Sequence, residues 1–234
     1  MYKFIKRSID FILSLLGILI LIPLFIPIMV ILRFTAEGEV FYRQERLGYK
    51  NQTFSILKFA TMIKDSPNIG SKTITVRNDP RITSIGKWLR ISKINELPQV
   101  YNVLKGEMAL VGPRPMLITS FKKYSKDVQE ILYKNRPGIT GIGSLVFRDE
   151  EMLVTAIKEK GLDPMEYYLN HIYPYKGVLE KWYFHNISLY TDSVILLLTF
   201  NSLFNKNSNL VYKIFKDLPA KPEILKLSSL QSNS

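Results

Sequence analysis

The sequence predicts an α+β fold, mainly helical. An N-terminal, proline-broken re-entrant membrane helix is expected to carry a small cytoplasmic domain with a short β-hairpin and interfacial amphipathic helices. Three observations predict it. Phe11–Leu32 runs for 22 residues without a charge. Two short apolar-rich runs, Val40–Tyr42 and Thr53–Phe59, flank a turn-forming Gly48–Asn51. Beyond them, apolar residues recur at three- and four-residue spacing, the period of one helical face.

The first element follows from length and from proline. At ~1.5 Å per residue the apolar run is long enough for a ~30 Å hydrocarbon core. Pro23 and Pro27 lie inside it. Each removes a backbone donor and crowds the preceding turn, so the helix is expected to bend or break near Ile22–Pro23. Lys3, Lys6 and Arg7 precede the run and Arg33, Arg43 and Arg46 follow it, so the positive-inside rule favours neither orientation. A helix–break–helix that enters one leaflet and returns satisfies both features and is preferred. A true span and a cleaved signal peptide are the alternatives; the apolar region is too long for the latter, and no small-x-small site follows it.

Composition narrows the partners. The 234 residues allow one domain, or one domain with an accessory piece. A net charge of +12 points to a polyanionic partner. The membrane segment makes lipid headgroups and phosphorylated substrates better candidates than nucleic acid, for which no recognition motif is present. Cysteine is absent, which removes disulfides and thiolate metal sites and fits a reducing compartment. Two histidines, His171 and His185, do not make a histidine-rich metal centre and read as packing residues.

The next elements are the hairpin and a helix over Ile82–Ile91, with Ile85, Trp88 and Leu89 on one face. Trp88 beside cations suits a headgroup boundary. Asn68–Ser71 and Asn78–Pro80 carry turn chemistry. Between Arg77 and Pro115, seven cations face three acids, Asp79, Glu96 and Glu107. Ile94, Leu97, Tyr101 and Leu104 then line a second helical face. Pro98 belongs in a first turn, which makes Asn95 the N-cap and Glu96 the first helical residue, with Gly106 closing the helix. That structural account competes evenly with a chemical one, in which a lone carboxylate among cations at a helix start handles a phosphate-like group. In Gly112-Pro113-Arg114-Pro115, two prolines stiffen the backbone around one guanidinium. The turn is either ordinary or a bidentate phosphate binder.

Together these residues resemble the bacterial sugar transferase family of small monotopic polyprenyl-phosphate phosphoglycosyl transferases. The matching blocks run in order: Lys6-Arg7-x-x-Asp10, Arg43-Gln44-x-Arg46-x-Gly48, Lys58-Phe59-x-Thr61-Met62 and Asn78-Asp79-Pro80-Arg81. They continue with Ile85-Gly86-x-x-Leu89-Arg90, Glu96-Leu97-Pro98-Gln99, Asn102–Gly106, Val111–Pro115, Arg136-Pro137-Gly138-Ile139-Thr140-Gly141 and Asn186-x-Ser188-Leu189-x-x-Asp192. The resemblance implies transfer of a sugar-1-phosphate from a UDP-sugar to polyprenyl (undecaprenyl) phosphate, giving a polyprenyl-diphosphate sugar and UMP. Such a step initiates a capsule, an O-antigen or another surface glycan. It implies Mg²⁺ as cofactor, membrane lipid and downstream glycosyltransferases as partners, and the cytoplasmic face of the bacterial inner membrane as location.

The resemblance also distributes roles. Lys58, Arg90 and Arg114 are expected phosphate contacts. Asp79, Pro80 and Arg81, with Pro98 and Gln99, are expected to support the site. Pro113, Pro115, Arg136, Pro137 and Gly138 are expected to do the same. The family typically carries an Asp-Glu dyad, a nucleophile followed by a Mg²⁺-associated glutamate. Here the dyad is Asn95-Glu96, so the catalytic candidates are Asn95 and Glu96, with Glu96 also the metal ligand. Ala60 stands where the family often has a cation. A neutral amide is a poor nucleophile toward phosphorus. Glu96 attacks instead, the lipid phosphate attacks directly, or the chain is a catalytically impaired relative acting as a binding or scaffold protein.

The expected division is an anchor over 1–35, a catalytic domain over 36–205, and a basic, partly disordered tail over 206–234. Asp149, Glu150 and Glu151 form an acid group, read either as a solvated helix start or as a sugar or metal contact. Ser193–Phe204 is an apolar run of 12 residues, too short to span, and predicts an interfacial or core helix.

Overall fold

The apolar N-terminal run forms one helix, α1 (Tyr2–Phe34), 33 residues long. A computed structural model describes residues 1–35, 37–64, 66, 79–205 and 210–227. At ~1.5 Å per residue α1 extends about 50 Å, more than a ~30 Å hydrocarbon core requires. The break expected at Ile22–Pro23 is not seen: the helix continues through Pro23 and Pro27. Each proline forfeits a backbone bond, but in an apolar setting the neighbouring backbone groups have no water to turn to, so the rest of the ladder stays helical. Only 11% of the most apolar stretch is covered by the rest of the protein, which fits membrane association.

The rest of the protein holds α1 near both ends. The Tyr2 hydroxyl and Lys6 Nζ each donate to Asp192 Oδ2 at 2.6 Å. The Arg7 guanidinium donates to the carbonyls of Val103 and Leu104 at 2.7 and 2.9 Å. Toward the other end, Ile28 and Leu32 are buried with Phe59 and Leu89. Phe25 meets the Phe59 ring edge-on at 5.2 Å.

The hairpin consists of β1 (Phe41–Leu47) and β2 (Thr53–Phe59), antiparallel, with Leu47 opposite Thr53. β1 extends beyond the expected Val40–Tyr42 because pairing with β2, rather than its own charged Arg43–Arg46, makes it a strand. The outer edge of β2 is closed by Asn102, whose Oδ1 accepts the Leu57 N–H at 3.0 Å and whose Nδ2 donates to Ser55 O at 2.8 Å. Helix α2 (Ser84–Ile91) is capped by Thr83, whose hydroxyl accepts the Gly86 N–H at 3.0 Å. Trp88 and Ile91 stay 52% and 75% exposed, a wet-side apolar face suited to a headgroup boundary. Helix α3 (Gln99–Lys105) ends at Gly106, φ +86°, as the glycine predicts.

A second small sheet pairs β3 (Ala109–Val111) with β4 (Gly138–Thr140) in parallel. The segment between them contains α4 (Ile118–Phe121) and α5 (Lys126–Leu132). The ladder continues past β3: the Gly112 N–H donates to Thr140 O and the Gly138 N–H to Pro113 O, both at 2.9 Å. A Cβ on Gly138 would stand 2.1 Å from Gly112 N, so this approach requires glycine.

The largest core lies in the C-terminal half. It gathers α6 (Ile142–Val146), α7 (Glu150–Glu159), α8 (Pro164–Tyr167), a π-helical turn (Tyr168–Ile172), α9 (Tyr173–His185) and α10 (Leu189–Phe204). Ile157, Ile172, Leu179 and Ile195 are fully buried there. α10 starts earlier than expected because Ser188 caps it, accepting the Thr191 N–H. It is both core and surface: Ile195 and Leu198 are buried while Leu197 and Phe200 are exposed. Within the expected tail, the described residues 210–227 pack on this core instead of hanging free. Val211 of α11 (Leu210–Ile214), Phe215, Leu218 and Leu225 are buried. The turn expected at Asn68–Ser71, and Asn78 of the next, lie outside the described residues.

Candidate active site

Backbone geometry sets the site first. Lys93, which follows α2, adopts φ 61°. That left-handed conformation costs an L-residue roughly 1–2 kcal/mol. A single 3₁₀ turn, Ile94–Glu96, follows, and α3 begins only at Gln99, with Pro98 in the cap position. Asn95 is therefore not the N-cap expected from sequence. A cap residue needs extended backbone to aim its side chain at the first N–H groups, and Asn95 already lies inside the turn. It is buried, and its Oδ1 has no hydrogen-bond partner among the described residues. An unpaired buried acceptor costs about 1–3 kcal/mol. The capping explanation of this asparagine thus fails, and its oxygen is left open to something else.

Glu96 sits at the centre. Its Oε1 accepts from Lys58 Nζ at 2.7 Å and from Arg114 Nη2 at 3.1 Å. Lys58 comes from β2, on the same face as buried Ile56, as the two-residue strand period requires. Arg114 comes from the Gly112–Pro115 turn, where Pro113 and Pro115 are buried and the arginine is exposed. Tyr133 fixes that turn: its hydroxyl donates to Arg114 O and accepts the Met116 N–H, both at 3.0 Å. Side-chain exposures of 17% for Lys58, 20% for Glu96 and 50% for Arg114 describe a cluster open on one side.

Its electrostatics favour an anion. Burial works against the Glu96 carboxylate, but Arg114 and then Lys58 outweigh it and hold the group well below the usual carboxylate range. Burial pulls the Lys58 ammonium down, although Glu96 opposes this. Burial, followed by repulsion from Arg114, brings the Arg46 guanidinium down to about 10. Arg46 Nη2 bonds Gln44, while its buried Nε has no partner among the described residues. Lys93 also acts on Glu96. One carboxylate thus faces Lys58, Arg114, Arg46 and Lys93, and the excess positive charge suits phosphate oxygens.

The other expected residues divide. Arg90 is not brought onto Glu96; its charge acts on Asp79. Asp79 and Arg81 form a buried two-point pair, Nε–Oδ1 2.8 Å and Nη2–Oδ2 2.6 Å, while Pro80 is exposed. Arg81 Nη1 also donates to Ser66 O at 2.8 Å. Pro98 and Gln99 are buried at the start of α3. Arg136 donates to Gly106 O at 2.7 Å and stands 5.2 Å from the Tyr49 ring centroid. Pro137 O accepts the Ala109 N–H at 2.8 Å, beside the Gly112–Gly138 approach. Sequence reasoning missed Tyr133, whose only signal was an aromatic just before the Arg136 block.

Among the described residues, no three of His, Asp and Glu gather as a metal cage. Glu96 supplies a carboxylate, and the neighbouring Asn95 Oδ1 has no partner among the described residues. Such a pair suits a magnesium ion that takes its remaining ligands from phosphate and water.

A long apolar helix joined to a cationic, single-carboxylate site gives an arrangement suited to phosphate groups near a lipid surface. The model of the bacterial sugar transferase family matches residues 1–206, and the chain belongs to that family. It is 32% identical over 222 residues to an uncharacterized sugar transferase of Haemophilus influenzae, across 88% of this chain and 42% of that one. To the exopolysaccharide production protein ExoY of Rhizobium meliloti it is 31% identical over 209 residues, 83% of each chain. To an undecaprenyl-phosphate glucose phosphotransferase of Komagataeibacter xylinus it is 38% identical over 157 residues, 62% of this chain and 30% of that one. The chain spans less than half the length of the first and third relatives.

Proposed function

We propose that the chain transfers a sugar-1-phosphate from a UDP-sugar to polyprenyl phosphate at the cytoplasmic face of the bacterial inner membrane. A polyprenyl-diphosphate sugar forms, UMP leaves, and downstream glycosyltransferases extend the product into a surface glycan. The observation that carries this reading is the Glu96–Lys58–Arg114 cluster, with more cations than its one carboxylate can neutralise. The names of the relatives support it, since one is an undecaprenyl-phosphate glucose phosphotransferase.

The phosphorus bearing the sugar exchanges one oxygen for another. Its bond to the UMP oxygen breaks, UMP leaves with the electron pair, and a bond to a lipid-phosphate oxygen forms. Lys58 and Arg114 offset the charge of the two anionic substrates. Tyr133 holds the Arg114 turn, which keeps that guanidinium oriented at low entropic cost. A magnesium ion held by Glu96, with Asn95 Oδ1 as a neutral donor, would neutralise the diphosphate. One carboxylate does not both hold the metal and attack phosphorus. With an amide at position 95, direct attack by the lipid phosphate is the preferred route and attack by Glu96 the alternative.

Membrane placement is part of the mechanism, because a lipid phosphate reaches only a site at headgroup level. Both ends of α1 contact the same domain. The helix is continuous from end to end, so these contacts favour its lying along one side of the membrane over a span that would separate one end from the domain.

UMP release from a panel of UDP-sugars, with Mg²⁺ and undecaprenyl phosphate, tests the proposal. Release with at least one sugar is expected. No release with any of them, together with its appearance in Asn95→Asp, would establish the impaired binding or scaffold protein instead. A trapped phosphosugar adduct on Glu96 would replace direct attack with the covalent route.

A further inference from the structure

The Arg114 turn reaches a second carboxylate through aromatic side chains. Tyr133, which bonds Arg114 O, lies in the cluster against which Tyr173 packs, and the Tyr173 ring stands 5.6 Å from that of Tyr168. Glu150 opens α7, and its Oε1 accepts from Lys176 Nζ at 2.6 Å and from the Tyr168 hydroxyl at 2.7 Å. Tyr168 begins the π-helical turn between α8 and α9. Such turns are rare and concentrate at functional sites. Beneath lies the buried ring of Phe147, with the Lys176 and Lys221 ammonium groups 5.0 and 4.8 Å from its centroid. Lys221 arrives from the C-terminal segment and donates to Val146 O at 3.3 Å.

The arrangement repeats that of Glu96. One carboxylate oxygen is fixed by two donors, and Oε2 takes no part in either bond. Glu150 and Lys176 stay 26% and 18% exposed, so the cluster is neither closed core nor a freely solvated ion pair. Burial works against the Glu150 carboxylate, but Lys176 and Tyr168, with Arg114, keep it below its usual range. A fixed carboxylate acceptor beside ammonium and phenol groups matches neighbouring hydroxyls, each of which both donates and accepts. A uracil edge offers that acceptor only one N–H, flanked by two carbonyls that a carboxylate repels, so neighbouring hydroxyls are the better match.

We infer that Glu150, Tyr168 and Lys176 form the subsite that reads the hexose hydroxyls of the nucleoside diphosphate sugar whose phosphates Arg114 holds. The inference rests on the phosphate-site reading above, but binding tests it without turnover. Glu150 Oε2 accepts from a hexose hydroxyl, and the Lys176 ammonium donates to its neighbour. The subsite is a specificity device: an epimer that turns one hydroxyl away leaves a buried polar group unpaired.

The test compares the full chain in detergent with Glu150→Gln and Tyr168→Phe by equilibrium binding of UDP, UDP-glucose and UDP-galactose, and by UMP release from both sugars. In the unaltered chain, one UDP-hexose is expected to bind about ten-fold tighter than UDP, the scale of one charged hydrogen bond. Glu150→Gln is expected to erase that increment and to shift the ratio of kcat/KM between the two epimers by about ten-fold. UDP affinity is expected to hold. If Glu150→Gln unfolds, Tyr168→Phe removes one donor to the same carboxylate and carries the comparison. Equal weakening of UDP and UDP-hexose would move the cluster to the nucleoside and overturn the inference. So would an unaltered chain that binds UDP and both UDP-hexoses alike, or variants that change neither affinity nor ratio. A sugar-dependent affinity without UMP release from any sugar would leave the subsite standing and sink the transfer reaction.

Discussion

Asp79–Arg81 and Glu96–Arg114 are both carboxylate–guanidinium pairs, and they differ in almost everything else. In the first, two parallel bonds join two side chains that are 2% and 3% exposed. Charge is balanced and both carboxylate oxygens are occupied. In the second, one oxygen is shared by two cations, the partners are 20% and 50% exposed, and further cations crowd in. The closed pair fixes backbone: the Arg81 carbonyl accepts the Ile63 N–H, and Ile82 bridges Met62 just before α2. The open one has donors and an oxygen to spare. Residue type therefore does not separate structure from chemistry here; balance and access do.

The largest effect expected is on stability, at the closed pair. Asp79→Asn leaves the buried Arg81 guanidinium uncompensated and is expected to cost about 3–5 kcal/mol in chemical denaturation. Replacing both partners, Asp79→Leu with Arg81→Met, is expected to restore most of that loss. If the double variant is no better than the single one, the pair does more than hold backbone. The next effect is on turnover, at the open cluster. Glu96→Gln is expected to lower UMP release by about 10²–10³-fold, the scale for removing one preorganised electrostatic group, with a smaller loss of stability than Asp79→Asn. A midpoint shift as large as that of Asp79→Asn would erase the contrast. Arg114→Lys keeps the charge and loses the planar fork, so a loss of about ten-fold in kcat/KM is expected.

The sequence made some of this legible and hid the rest for physical reasons. Local signals carried the hairpin, α2 and the Gly106 cap, because each depends on residues close in sequence. Asn95 was misplaced as a cap because its conformation follows from Lys93, and nothing in a lysine announces positive φ. β1 was cut short because its charged residues owe their strand to pairing with β2. Residues 210–227 read as tail because their lysines outweighed Val211, Phe215, Leu218 and Leu225, whose burial depends on a core built from distant helices. The cations around Glu96 were visible as a charge excess. Which of them touch it was not: Lys58 lies 38 residues away, and Arg90, nearer in sequence, acts on Asp79. Tyr133 and the Glu150 cluster depend on contacts of the same long-range kind.

Acid titration offers the finest cut between the two pairs. Arg81 holds the Asp79 carboxylate below its usual range, and Arg114 and Lys58, against burial, hold Glu96 well below its own. In both cases the unfolded chain takes up the proton first as pH falls. Each carboxylate therefore contributes stability that is complete above the ordinary carboxylate range and is lost on the way down to its folded value. A group protonated in the unfolded chain and ionised in the folded one steepens the decline by up to about 1.4 kcal/mol per pH unit. Glu96→Gln is expected to remove that contribution from the decline below about pH 4.5, while the contribution of Asp79 persists. Denaturation midpoints measured from pH 6 downward read the difference directly. An unchanged slope in Glu96→Gln would mean that Glu96 is not held ionised by its neighbours, and the strong positive potential on which the phosphate chemistry of the open cluster depends would be refuted.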